Sequence, residues 1–210
     1  MSEAIQYKGY TIKIEQDCDP LNPRGDDFDT PLFTLVAFHR RYNLSDGQHL
    51  SDGSKLKSED FNGWDAMIAH VDKVEGGIIV LPVYLYDHSG ITIRTTPFSC
   101  QWDSGQLGFI YISKKKARET YGWKVISKAR VEKLKEYLRS DIETYDDYLT
   151  GNVYGYQIVL PDGTDGDCCS GYYGSDYEKS GLMADAKSAV DADIQYTLKT
   201  EGVQMELALA

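Results

Sequence analysis

Three apolar runs, Ile78–Tyr86, Ile91–Thr95 and Leu107–Ile112, follow one another with short polar connections between them. A parallel pair needs a crossover of about a dozen residues or more, so these runs predict antiparallel strands. Two similar turns punctuate them, Tyr86-Asp87-His88-Ser89-Gly90 and Trp102-Asp103-Ser104-Gly105. Each places an aromatic residue before Asp and then Ser-Gly, residues that favour tight turns. The most apolar part of the chain therefore also carries its densest group of reactive side chains: Asp87, His88, Cys100 and Asp103.

The rest of the chain supplies elements to cover that sheet. Ile5–Glu15 alternates as a strand, with Tyr10, Ile12 and Ile14 on one face and Gly9 marking a bulge or turn. Glu15–Pro31 holds three prolines and six acidic residues and reads as a loop. Leu32–His39 is a second strand, and Leu44–Lys57 a polar, exposed loop. Ser58 opens a helix through Lys73, with Phe61, Trp64, Ile68 and Val71 toward the core, His70 at its edge and Gly76-Gly77 as its stop.

Ser113 caps a short helix, Lys114–Tyr121, ended by Gly122. Ser127 opens a longer one whose stripe is Val131, Leu134, Leu138, Ile142, Tyr145 and Leu149, with Gly151 as its end. Val153–Leu160 and Gly166–Gly171 form a hairpin around Pro161-Asp162-Gly163. A last helix, Tyr177–Lys199, buries Met183, Ala186, Val190, Ile194 and Leu198. This order predicts a single α+β domain over residues 1–210, with a mainly antiparallel central sheet and three to four helices packed on it. The loops at 15–31 and 44–57 are its irregular parts.

The net charge of −11 argues against direct, non-specific nucleic-acid binding, which depends on Lys and Arg neutralising phosphates. It fits a protein that meets basic surfaces, and equally a protein kept soluble by charge. No apolar run approaches the roughly 20 residues that cross a bilayer. The start, MSEAIQYKGY, shows no basic segment leading an apolar one, so a cytoplasmic location is expected.

The charge is unevenly placed. Ser113–Arg139 carries ten Lys and Arg against three Glu, whereas Ser140–Glu178 carries nine Asp and Glu, no basic residue and seven tyrosines. Carboxylates steer encounter with a basic groove and tyrosine supplies contact area, so Asp141, Glu143, Asp146, Asp147, Tyr148, Tyr172 and Tyr173 are candidate partner-binding residues. A solvated sheet edge, with its acids paired to the basic block, would read the same way.

Two further sites are chemical candidates. A nucleophilic cysteine needs a base and a group that orients it, and Cys100, His88 and Asp87 or Asp103 supply those types. Structural Asx turns around a small buried thiol would leave the same pattern. His39, Arg40 and Arg41 are candidates for gripping phosphate, since Arg forms bidentate pairs. Asp17, Asp19, Asp26 and Asp27 are oxygen ligands for Mg2+ or Ca2+ by composition only, because no EF-hand spacing is present. No Cys-x-x-Cys pair exists among Cys18, Cys100, Cys168 and Cys169, and no phosphate-loop, dinucleotide or Ser-elbow pattern occurs. No cofactor is therefore expected.

Four stretches resemble one family: Glu15-Gln16-Asp17 with Asn22-Pro23-Arg24; Phe38-His39-Arg40-Arg41-Tyr42-Asn43-Leu44; the run Tyr84 to Tyr111; and Val153-Tyr154-Gly155-Tyr156 with Cys169 and Gly171-Tyr172-Tyr173-Gly174. They are similar to an uncharacterised family of about this length found in bacteriophages and mobile elements. The resemblance is most specific around YLYDHSGITI and PFSCQWDSGQLGFIY. It carries over no activity and no catalytic residue. It implies a phage-encoded accessory protein acting in the bacterial cytoplasm, where small acidic phage proteins often block CRISPR or restriction systems. The expected function is inhibition of a nucleic-acid-handling defence complex by docking on its basic surface. The alternative is an enzyme, small-ligand binder or signal-nucleotide binder using the Asp87, His88, Cys100 and Asp103 region.

Overall fold

The computed structural model describes residues 3–25, 31–100 and 102–208. Two compact units are formed, one from Met1–Leu21 with Gly151–Ala210 and one from Asn22–Thr150. They are called the terminal and the central unit below. The fold is α+β with antiparallel strands throughout, and the strands divide between two four-stranded sheets. No helix among the described residues is long and apolar enough to cross a membrane.

The central unit holds β3 (Thr34–Ala37), α1 (Trp64–Val74), β4 (Ile78–Asp87), β5 (Ile91–Arg94), β6 (Ser104–Ser113), α2 (Lys114–Tyr121) and α3 (Lys128–Thr150). Its sheet order is β3-β6-β4-β5. Strand β6 is apolar without alternation because both faces of this sheet are covered. Ile110 and Ile112 pack with Leu134, Leu138, Ile142 and Tyr145 of α3. Phe109 and Tyr111 pack on the other face with Met67 and Val71 of α1. Burial of that kind pushes the Tyr111 hydroxyl up to about 12.

Local chemistry explains the ends of these elements. The Ser113 hydroxyl accepts from the Lys116 N–H at 3.1 Å, and Gly122 closes α2 in the left-handed region at φ 65°. Gly108 lets β3 approach β6, since a Cβ there would lie 1.9 Å from the Val36 carbonyl oxygen. The segment expected as a helix from Ser58 is a 3-10 turn, Ser58–Asp60, and α1 starts only after Gly63, whose φ of 89° breaks the run. The polar loop 44–57 is not wholly exposed. Leu44, Leu50 and Leu56 are buried, and Asp46 accepts from the Leu35 N–H at 2.6 Å, which occupies part of the free edge of β3.

The terminal unit orders its strands β1-β2-β7-β8: β1 (Glu3–Tyr7), β2 (Tyr10–Gln16), β7 (Val153–Val159) and β8 (Asp165–Tyr173). The expected single strand at Ile5–Glu15 is a hairpin, because Lys8 and Gly9 both take positive φ, as two-residue hairpin turns require. Helix α4 (Leu182–Ala208) lays Leu182, Met183, Ala186 and Val190 on Ile12, Ile14, Tyr156 and Ile158. Ile194 is half-buried, and Leu198, expected inside, is 64% exposed because this part of the helix has run past its sheet.

Candidate functional site

Two of the residue groups singled out in the sequence meet at one end of the central sheet. Strand β3 leads into Phe38–Tyr42, β4 ends at Asp87, and β6 begins just after Asp103. The Asp87 N–H donates to the Asp103 carbonyl at 2.9 Å, which holds the two Asp/Ser-Gly turns side by side. Arg41 forms an ion pair with Asp87. His88 Nδ1 lies 3.3 Å from Asp103 Oδ2, and the Cys100 thiol lies 3.9 Å from the same oxygen.

That order bears on the chemistry open to Cys100. A nucleophilic cysteine needs the imidazole beside its sulfur. Here the carboxylate of Asp103 meets both the thiol and the imidazole, and the turn is also tied by the Ser104 hydroxyl donating to the Cys100 carbonyl. The arrangement braces two turns.

The same end of the sheet carries a cleft. One part, of about 390 Å³, lies between Phe38–Arg41 and Asp87, Trp102 and Asp103. An adjoining part of about 630 Å³ shares Phe38–Arg41 and is closed by Tyr42, Asn43, Gln48 and Ser58. His39 stacks on Tyr42 at 4.9 Å, with planes 8° apart. Its Nδ1 accepts from the N–H groups of Arg41 and Tyr42 at 3.3 and 3.2 Å, which leaves Nε2 as the donor of the neutral ring. Arg40 is exposed and has no ion-pair or hydrogen-bond partner among the described residues.

The acidic candidates fall in different places. Asp141, Glu143, Asp146, Asp147 and Tyr148 lie on α3 of the central unit, whereas Tyr172 and Tyr173 lie on β8 of the terminal unit. Asp141 pairs with Arg24. Asp146 accepts from the Thr92 hydroxyl and the Ile93 N–H, both at 2.7 Å, and burial pushes its carboxyl above the usual range. Both serve the fold. Tyr148 is half-buried and stacks on Tyr145 at 6.2 Å. The Tyr172 hydroxyl donates to Asp185 at 2.9 Å, and burial, then Cys169 and Asp185, hold its pKa up. The Tyr173 hydroxyl donates to the Leu21 carbonyl at 2.5 Å.

Asp17 accepts from the Asp19 N–H at 3.0 Å in an Asx turn, and Asp26 and Asp27 lie outside the described residues. Among the described residues no three His, Cys, Asp or Glu side chains are placed to hold a metal ion. A feature the linear reading passed over is a concavity of about 390 Å³ in the terminal unit, lined by Glu15, Asp17, Cys18, Cys168 and Cys169. It exists because β2 pairs with β7, a contact across the whole chain that no local pattern announces.

The net charge also resolves by unit. The terminal unit has five Lys and Arg against 14 Asp and Glu, a net of −9. The central unit has 17 against 19, a net of −2. The basic block on α2 and α3 is what brings the central unit close to neutrality. Comparison of the chain with family models, curated proteins and solved structures gives no match.

Proposed function

We propose that this is a non-enzymatic, acidic binding protein of phage origin that inhibits a host nucleic-acid-handling defence system, of anti-CRISPR or anti-restriction type, by docking on a basic protein surface. The observation that carries the reading is the concentration of negative charge, −9 of −11, in the terminal unit. A field of one sign on a compact body steers encounter with an oppositely charged partner. The setting rests on the resemblance of YLYDHSGITI and PFSCQWDSGQLGFIY to phage and mobile-element proteins.

The docking face is placed on the β7–β8 hairpin and the end of β2, where Glu15, Asp165 and Asp167 are exposed. Strand β8 is an edge strand and is exposed from Asp165 to Gly171. Asp141 and Asp146 are poor test positions, since reversing them breaks contacts within the fold. The test is affinity capture of purified CRISPR and restriction nuclease complexes by the wild-type chain and by the triple variant Glu15→Lys, Asp165→Lys, Asp167→Lys, with nuclease activity read alongside. Capture and inhibition by the wild type, both lost in a folded triple variant, support the reading. Capture that survives the reversal rejects the acidic face.

A further inference from the structure

An unmatched cation and an unmatched aromatic ring line the same cleft of the central unit. Arg40 has no partner among the described residues, and Trp102 is 95% exposed and makes no ring contact there. We propose that this cleft binds a free nucleotide, its phosphate on Arg40 and its base on the indole of Trp102.

The cleft carries two arginines beside two carboxylates, and the pairing among the described residues leaves one guanidinium open to a ligand. Asp87 pairs with Arg41, and Asp103 lies against His88 Nδ1 and the Cys100 thiol, so among the described residues Arg40 is the cleft guanidinium without a partner. Arginine presents a planar set of donors that fits phosphate oxygens. His39 is held by its stack on Tyr42 and by two backbone donors to Nδ1, so Nε2–H is available as a second donor to the phosphate.

Trp64 and Trp123 are half-buried and in ring contacts, Trp64 with Phe38 and Phe109 and Trp123 with Tyr121. Trp102 is set apart from both. A solvated indole at a cleft mouth gains by covering a planar heteroaromatic ring, whatever its hydrogen-bonding pattern. Asn43, Gln48 and Ser58 in the adjoining part of the cleft supply donors and acceptors for a sugar or a base edge. Both parts fall in the range of roughly 300–1,000 Å³ typical of small-ligand sites.

The inference is independent of the acidic docking face, which lies on the other unit. It is tested by calorimetry and tryptophan fluorescence with AMP and GMP, with adenosine, inorganic phosphate and a 5′-phosphorylated single-stranded oligonucleotide as further arms. The expected result is saturable binding of a mononucleotide with quenching that is absent in Trp102→Phe. Arg40→Ala should weaken the mononucleotide by about tenfold or more while leaving adenosine little changed. Trp102→Ala should weaken both. Both side chains are exposed, so unchanged circular dichroism in each variant separates loss of binding from loss of fold. No heat and no quenching with either mononucleotide overturns the proposal. So does binding confined to the oligonucleotide, which would make the cleft a strand-end site, or binding that Arg40→Ala and Trp102→Ala leave intact.

Discussion

Asp146 on α3 accepts a 2.7 Å hydrogen bond from the backbone N–H of Ile93 in β5. The bond, with a second from the Thr92 hydroxyl, ties the outermost strand of the central sheet to the helix that covers it. Burial is the largest influence on this carboxyl and raises its pKa above the ordinary aspartate value of 3.8; the two hydrogen bonds act the other way. The folded state therefore holds the proton more tightly than the unfolded chain. This group's contribution to stability is full below 3.8 and is lost as pH rises through the raised value.

Asp146→Asn keeps an oxygen for Ile93 without the charge. Urea unfolding at pH 7 should find it no less stable than the wild type. Its stability should also respond less to acidification in the window just above 3.8. Asp146→Ala loses both bonds and should cost about 1–3 kcal/mol at pH 7. A strongly destabilised Asn variant would show that the charge itself is needed.

Arg24 is an enclosed charge of the central unit, with its side chain only 4% exposed. Its guanidinium pairs with Asp46 and Asp141 and lies 5.5 Å from the Tyr145 ring centre. Removing the cation strands two partly buried carboxylates. Arg24→Ala should cost about 3–5 kcal/mol in denaturant unfolding, the cost typical of breaking a buried pair. The triple change Arg24→Met, Asp46→Asn, Asp141→Asn should recover part of that loss.

Gly108 is required by the approach of β3. Gly108→Ala drives a methyl group into the Val36 carbonyl, so β3 must separate from β6. A cost of about 3 kcal/mol or more is expected, at or beyond the upper end of ordinary overpacking. Gly105→Ala, on the same strand with open space at its Cβ, is the control and should shift the melting temperature far less.

The four thiols should separate into two classes. Cys18, Cys168 and Cys169 are exposed, whereas Cys100 is half-buried beside Asp103. Alkylation of the native protein, followed by peptide mass spectrometry, should label the first three quickly. Cys100 should react no faster than it does in an unfolded control. Faster labelling of Cys100 would support it as a nucleophile.

Local chemistry was readable where a side chain acts on its own neighbours. The Ser113 cap, the stop at Gly122 and the Leu134, Leu138, Ile142, Tyr145 stripe all follow from spacing of a few residues. Contacts across long stretches were not. The pairing of β2 with β7 brings residues about 140 positions apart into one sheet, and nothing in either strand's alternation names its partner. Leu44, Leu50 and Leu56 are buried from a polar segment because single leucines six residues apart follow neither a helical nor a strand period.

The candidate site divides in the same way. That Asp87, His88, Cys100 and Asp103 lie together follows from short turns between antiparallel strands. That the Asp103 carboxylate meets both the thiol and the imidazole depends on how the turns lie against each other. Asp146 reads as a surface acid because its helical position is adjacent to the buried Tyr145; only the placement of β5 turns it into a structural acceptor.

The central claim is that the acidic terminal unit recognises a basic partner. The most direct measurement is the salt dependence of Kd, by calorimetry, for a captured defence complex against the wild type and the Glu15→Lys, Asp165→Lys, Asp167→Lys variant. The account predicts that wild-type affinity falls steeply as salt rises across the physiological range, and that the variant binds weakly with a shallower slope. Equal affinity and equal slope for the two proteins would contradict it.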